Sequence, residues 1–575
     1  MSVRLLLPAA PAIRDPHAMR RLRLLFAGLM VGLLLSELDQ TIFATALPTI
    51  VGELGGVDRM LWVTTAYVLA GTVVMPVYGK LGDLLGRRTV FLVALGIFVV
   101  GSVIGGLAPD LSWLIVGRAV QGLGGGGLLI LVQAIVADLI PARGRAPYLS
   151  VVDAVFALSA VLGPLLGGWF AQGIGWRWAL WINVPLGLLA MLLAATLLPA
   201  PPPRPDRVRV DGWGIATLSL AVTAVVLLAS WGGTRYAWSS PVILTVVAVA
   251  VVSALAFVAA EHLAAEPVIP LGLFRQRNFT VATLAGLVMA VAMFGAIGYV
   301  PTYLQMVSGL SARNSGLVML SLIGGIMVTT LLSAQIVSRT GRYRALPVVG
   351  TAVVALALWL LSTLEAEAPL RVVAAFLFLL GAGLGCALEV LVIIAQNTAP
   401  DRMVGAATAT TSFFREIGVA LGSAVVGTLF TSRLAVLLAE RLPAGAGSGL
   451  DVNSLVPADV NRLSEAARAP IVSSYHDALT PVFLALVPLM LLSTLALCFL
   501  RPVPLATSVP SSGLVDRPST GSGSGGSGYM DRPSTGSGSG GSGLVDRPST
   551  GSGSGGSGSE DGAAAHSLAT DRDRE

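Results

Sequence analysis

Glu37 and Asp39 interrupt an apolar stretch. The run LRLLFAGLMVGLLL is followed directly by SELDQTIFATALP, residues 36–48. An ionised acid near the centre of a membrane helix costs roughly 2.5–3.5 kcal/mol on insertion scales, so acids at such positions mark pathways for ions or protons. At about 100° per residue the two carboxylates are about 200° apart and cannot share a face. One can point into a central cavity while the other meets a neighbouring helix, and the spacing does not choose between them.

A guanidinium in a later apolar run can answer one of these acids. Asp39 lies about 22 Å along a helix begun near residue 24, and Arg118 about 9 Å into a helix running back from about 112. The two reach similar depth. An arginine–carboxylate pair there neutralises both charges and holds the acid ionised until another cation competes. Apolar surroundings favour a neutral acid, a neighbouring guanidinium the carboxylate, and moving an acid between the two binds and releases a proton. A static ion pair that fixes helix register is the plainer alternative.

Further charges lie in apolar segments. Asp153 and Glu389 each fall about 10 Å from one end of a helix. Arg415 and Glu416 sit within TSFFREIGVALG. Being adjacent, they do not face each other, so Arg415 is expected to meet an acid on another helix, with Glu389 the candidate. These four residues are expected to line a substrate cavity, with polar adhesion between helices as the alternative. Small residues cluster in GRAVQGLGGGGLLILVQ (117–133) and in LGPLLGGWF (162–170), which holds Gly163, Pro164, Gly167 and Gly168. They allow close helix approach, and Pro164 bends its helix. In GKLGDLLGRR (79–88), Gly79, Gly86, Arg87 and Arg88 frame a turn in which Asp83 is placed to cap a helix start near Gly405 through the helix dipole.

The elements that carry these residues follow from composition. Of 575 residues, 54% are hydrophobic and 12% charged, and the mean hydropathy is +0.81. Globular domains carry roughly twice that charge fraction. The apolar runs are too long and continuous for barrel strands, so the fold class is all-α and polytopic. Fourteen segments of about 20 residues are expected, near 24–47, 60–79, 89–108, 112–136, 147–171, 178–199, 213–231, 241–259, 279–301, 315–336, 345–363, 370–396, 404–431 and 479–500. Acids late in the first run argue against a cleaved signal peptide.

The net charge of +5 does not mark a nucleic-acid binder. Lys80 is the sole lysine, and the arginines gather in alternate short loops: Arg87 and Arg88; Arg143 and Arg145; Arg204, Arg207 and Arg209; Arg275 and Arg277; Arg339, Arg342 and Arg344. Positive loops stay inside, so both termini are expected in the cytoplasm. The 432–478 loop carries arginines on the other side, where long loops escape the rule. Cys386 and Cys498 lie in apolar runs and read as packing residues.

GKLGDLLGRR after the second segment is echoed by AQIVSRTGRYR (334–344) after the tenth. Taken as equivalent, the two loops divide the chain into six segments, two extra ones and six more, the paired arrangement of secondary transporters. The expected organisation is an N-terminal stretch 1–23, a bundle 24–199, a linker with two extra helices 200–278, a second bundle 279–501 with the 432–478 loop, and a tail 502–575. In the tail, LVDRPSTGSGSGGSG recurs with small changes at 514, 529 and 544. Gly/Ser-rich repeats bury too little apolar surface to order themselves.

These stretches resemble the major facilitator superfamily, in particular its fourteen-helix drug:proton antiporter branch. GKLGDLLGRR is similar to that superfamily's loop signature at Gly79, Asp83, Gly86, Arg87 and Arg88, with Leu84 where arginine is frequent. LDQTIFATALPTI (38–50) resembles the branch's first-helix motif, which makes Asp39 the family acid and Glu37 an addition. GRAVQGLGGG resembles the fourth-helix motif, whose arginine is Arg118, and GPLLGG (163–168) the fifth-helix antiporter motif. Ala157 and Ser159 stand near positions where that motif has glycine. The resemblance, over about 20–500, implies two six-helix bundles plus two central helices. It further implies export of amphipathic, often cationic, drugs in exchange for protons across a bacterial cytoplasmic membrane, and hence antibiotic resistance.

No phosphate-binding loop G-x-x-x-x-G-K-[ST] and no metal-ligand spacing occurs in the sequence. This speaks against ATP as the energy source; the resemblance implies a proton gradient in its place, and neither a cofactor nor an enzymatic activity is expected. Expected partners are small amphipathic molecules, protons and the bilayer, without nucleic acid, and a monomer is expected. Two other readings use the same residues: export of an endogenous lipid or siderophore, and a non-transporting receptor or scaffold acting through the 432–478 loop and the tail.

Overall fold

The computed structural model describes residues 16–56, 59–199, 211–233, 235–441, 460 and 465–506. The expectations for the first fifteen residues, the arginines at 204–209 and the Gly/Ser repeats fall outside them. Among the described residues the chain is almost wholly helical, with one isolated bridge between Gly232 and Tyr236.

The first six helices are α1 (Pro16–Leu54), α2 (Met60–Leu85), α3 (Arg87–Gly106), α4 (Leu111–Leu139), α5 (Ala142–Trp169) and α6 (Trp178–Leu197). Two more follow, α7 (Gly212–Trp231) and α8 (Pro241–Leu263). The last six are α9 (Arg277–Met306), α10 (Ala312–Thr340), α11 (Ala345–Ser362), α12 (Leu370–Thr398), α13 (Val404–Arg441) and α14 (Glu465–Cys498). Thirteen of the described helices are long and apolar enough to cross a membrane by length and composition. The apolar run of α1 adds a fourteenth.

Local chemistry sets several boundaries. Asp110 caps α4 by accepting from Trp113 N at 3.0 Å, and Asp211 caps α7 by accepting from Gly214 N at 2.8 Å. Ser240 caps α8, whose first residue is Pro241, where the missing N–H costs nothing. Gly86 joins α2 to α3 with φ 87°, a left-handed turn that disfavours any side chain.

The helices pack as a repeat. In the first bundle α1 packs on α5 and α6, and α4 packs on α2 and α3. In the second, α9 packs on α13 and α14, and α12 packs on α10 and α11. Each pair recurs eight helices later, which leaves α7 and α8 as the inserted pair; they pack on each other, and α7 also meets α2 and α13. The bundles meet symmetrically, α2 against α13 and α5 against α10.

Several expected boundaries move. The first helix begins at Pro16 rather than near 24 and runs to Leu54, because both amphipathic ends continue the apolar segment. The sixth pauses at Ile182. The expected 432–478 loop is largely helical at both flanks: α13 reaches Arg441 and α14 starts at Glu465. Leu434 and Leu438 bury one face of this extension, and Arg441 pairs with Asp477 at 2.6 Å across to α14. A length count tied to bilayer thickness cannot see helix that projects beyond it. Residues 442–459 and 461–464 lie outside the described residues.

Candidate functional site

Asp39 faces the interior of the first bundle. Its carboxylate forms an ion pair with Arg118 of α4, both side chains being almost fully buried. The other oxygen accepts from Gln121 Nε2 at 3.0 Å and from Asn183 Nδ2, on α6, at 3.0 Å. Gln121 also donates to Ser102 Oγ of α3 at 2.8 Å and accepts from Arg118 at 3.0 Å. Arg118 Nε donates to the Val63 carbonyl of α2 at 3.3 Å, and its guanidinium lies 4.3 Å from the ring centroids of both Phe43 and Tyr67. The charge is thus met by a carboxylate and by two aromatic rings. Five helices contribute to one satisfied network.

Gln121, Asn183 and Ser102 were not singled out by sequence reasoning. Gln121 stands three residues after Arg118 and so shares its helical face. Asn183 is a lone amide in an otherwise apolar segment, and intramembrane polar residues of that kind seek partners.

Glu37 points the other way, which settles the choice that the spacing left open. It lines a cavity of about 240 Å³ between the bundles, together with Gln40, Tyr67 and Phe156 from the first bundle and Met293, Phe294, Arg415 and Glu416 from the second. Arg415 and Glu416 lie near enough to Glu37 to act on its charge. A neighbouring apolar pocket of about 170 Å³ shares Glu416 and Phe294 and is walled by Val222, Val226 and Ala229 of α7.

The four expected cavity residues divide into two groups. Arg415 and Glu416 line the cavity. Asp153 and Glu389 do not; their carboxyl groups meet each other where α5 faces α12. Arg415 forms no direct ion pair with Glu389, but acts on that pair and on Glu37 from a distance. The expected Arg415–Glu389 bridge is therefore absent among the described residues. Rotation of α13 aims the guanidinium at the cavity instead.

The fifth-helix motif packs against α1. A side chain on Gly163 would collide with Thr41 and one on Gly167 with Ile42, whereas one on Gly168 would meet nothing. Thr41 Oγ1 donates to the Ser159 carbonyl at 3.1 Å, so this glycine-lined contact holds the helix that carries both acids. Pro164 lies six residues before Phe170, where the π-helical turn Phe170–Ile174 continues α5.

At the arginine-rich end the bundles are latched. Asp83 accepts from Gly405 N at 3.1 Å and Ala406 N at 2.7 Å, capping α13, and pairs with Arg87, which also binds Asp138 at 3.1 Å. A side chain on Gly79 would strike Ala409 and the Gly405 backbone, so α2 and α13 touch almost directly. Arg88 donates to the Leu198 carbonyl at 3.5 Å, within its own bundle. Arg143, which sequence reading used only for orientation, donates to the Ser338 carbonyl at 3.2 Å and the Arg339 carbonyl at 2.7 Å. Buried Arg145 donates to Gln396 at 3.3 Å, and Gln396 in turn donates to the Gln133 carbonyl at 3.4 Å.

Two helical bundles related by a repeat, a cavity with charged walls between them and a latch at one end define the class: a membrane transporter rather than an enzyme. The model of the Major Facilitator Superfamily matches residues 29–423, and the chain belongs to that family. It is 41% identical over 485 residues to an uncharacterised MFS-type transporter of Mycobacterium tuberculosis, covering 84% of this chain and 70% of that one. It is 33% identical over 508 residues to the multidrug transporter protein MdtP of Bacillus subtilis, covering 84% and 94%. Multidrug resistance protein 3 of the same organism is 31% identical over 475 residues, covering 81% and 92%. Among solved structures, the human organic anion transporter MFSD10 superposes with a TM-score of 0.55 at 17% identity, covering 84% of this chain and 100% of that one. A XylE double-tryptophan mutant gives 0.53 at 13% identity, covering 82% and 94%. These two speak for the fold alone.

Proposed function

We propose that this transporter exports amphipathic, cationic drugs across the bacterial cytoplasmic membrane in exchange for protons. It works by alternating access, as a monomer with both termini in the cytoplasm and no cofactor. The observation that carries the reading is the position of Glu37, on the cavity wall and two residues from the buried Asp39–Arg118 pair on the same helix.

When both acids are ionised, two carboxylates and one arginine leave the cavity wall net negative, which favours a cation. Phe156, Phe294 and the adjoining pocket against α7 supply apolar surface for the rest of an amphipathic molecule. Two relatives named as multidrug proteins support drugs as the cargo.

In the proposed cycle the arginine-rich end is the cytoplasmic one, and here it is closed. A proton from outside neutralises Glu37 and releases a bound cation. A proton reaching Asp39 displaces Arg118 from it, which frees α1 to move against α5 along the Gly163–Gly167 contact. Once the cavity faces the cytoplasm, cargo takes the carboxylate and the proton leaves to water.

The test is transport into proteoliposomes under an imposed pH gradient, with lipophilic cations, neutral drugs and lipids offered in parallel. Gradient-dependent movement of the cations alone is the expected result. Movement of lipids alone, or equal movement without a gradient, would overturn the reading.

A further inference from the structure

Asp153 and Glu389 take no part in the cycle above, yet they are the two acids that meet directly across the bundle interface. Glu389 is 6% exposed, and its Oε2 is buried without a hydrogen-bond partner. Few donors are within reach. Thr330 of α10 lies beside Asp153, but it has a single hydroxyl hydrogen, for which the Gly385 carbonyl at 3.2 Å competes. Arg415 of α13 acts on both acids without contacting either. Among the described residues no other charged group acts on the pair, from α1 and α4 included. Two carboxylates in contact repel each other, and a buried acceptor without a donor carries a full desolvation penalty. One hydrogen held between them removes both costs.

We infer that Asp153 and Glu389 form a second proton site, a dyad that shares one proton and holds the bundles together while the arginine-rich end is closed. Asp153 belongs to the first bundle and Glu389 to the second, so the dyad exists only while α5 and α12 are in contact. Separation of the bundles breaks the O–H···O bridge. The shared proton then passes to water entering the gap, and both carboxylates are left ionised. Conversely, loss of that proton leaves like charges across the interface and drives it open. The site is separate from the acids of α1 and adds a proton to any coupling they supply. It stands whether or not drugs are the cargo.

Two measurements on the detergent-solubilised full chain without cargo test this. The first is the infrared difference spectrum between wild type and variant. Asp153→Asn and Glu389→Gln are each expected to remove one protonated, hydrogen-bonded carboxyl C=O band near neutral pH, and Asp39→Asn is expected to leave that band in place. The second is the distance between spin labels at exposed Thr196 and Thr340, one on each bundle at the arginine-rich end, with Cys386 and Cys498 replaced by Ala. In wild type the ratio of separated to closed populations is expected to rise with pH. In Asp153→Asn/Glu389→Gln its logarithmic slope is expected to fall by about one, that is, about tenfold per pH unit for one linked proton. If the infrared band and the pH slope both survive in variants that elute and melt like wild type, the dyad is refuted. Should one variant fail to fold, the other and the infrared band decide.

Discussion

The two bundles handle intramembrane charge in opposite ways. In the first, Arg118 and Asp39 are bound on every side by Gln121, Asn183, Ser102, Val63 and two aromatic rings. In the second, Arg415 and Glu416 project into a cavity, and Arg415 has no direct acidic partner among the described residues. A saturated network resists change until something replaces its central bond. A loose pair in a cavity can reorganise around whatever enters. The structure thus places a rigid clamp opposite an adaptable wall, and α1 carries one acid of each, Asp39 in the clamp and Glu37 on the wall.

The sharpest way to break this comparison is to remove each arginine. Arg118→Ala leaves Asp39 buried and unpaired and is expected to cost about 3–5 kcal/mol, read as a large fall in melting temperature in detergent. Arg415→Ala is expected to stay within about 1 kcal/mol of wild type. It is also expected to bind a monovalent lipophilic cation about tenfold tighter, the effect of removing one repulsive charge at roughly 12 Å with an effective dielectric constant near 20. Equal destabilisation by both substitutions would erase the distinction.

A smaller effect is expected at the latch. Asp83→Asn keeps one acceptor oxygen for Gly405 and Ala406 but loses the charge that faces the α13 dipole and Arg87, worth about 1–2 kcal/mol. Transport is expected to fall about tenfold, and labels across the arginine-rich end should populate longer distances. An unchanged distance distribution would mean that the remaining Arg143 and Arg145 contacts close that end without it.

Much of this was legible in the sequence because bilayer crossing imposes strong patterns. Continuous apolar runs located the helices, and depth arithmetic brought Asp39 to Arg118. The dipole argument placed Asp83 at the start of α13, where it accepts from Gly405 and Ala406. What was not legible is rotation about helix axes and helix beyond the membrane. Rotation of α1 decides that Asp39 turns inward and Glu37 toward the cavity; rotation of α5 and α12 brings Asp153 and Glu389 to each other rather than onto the cavity wall. The extensions of α13 and α14 owe their order to Leu434, Leu438 and the Arg441–Asp477 pair, contacts between segments far apart in the chain. Gln121 and Asn183 were visible as isolated polar residues, but only the packed bundle shows that they converge on one carboxylate.

Proton release on adding a lipophilic cation, followed with a pH indicator in weakly buffered detergent solution, tests the coupling claim most directly. Wild type is expected to release protons as cargo takes the carboxylate. Glu37→Gln is expected to release fewer, and Glu37→Gln/Asp39→Asn the fewest. Undiminished release from a folded double variant that still binds the cation would contradict the account.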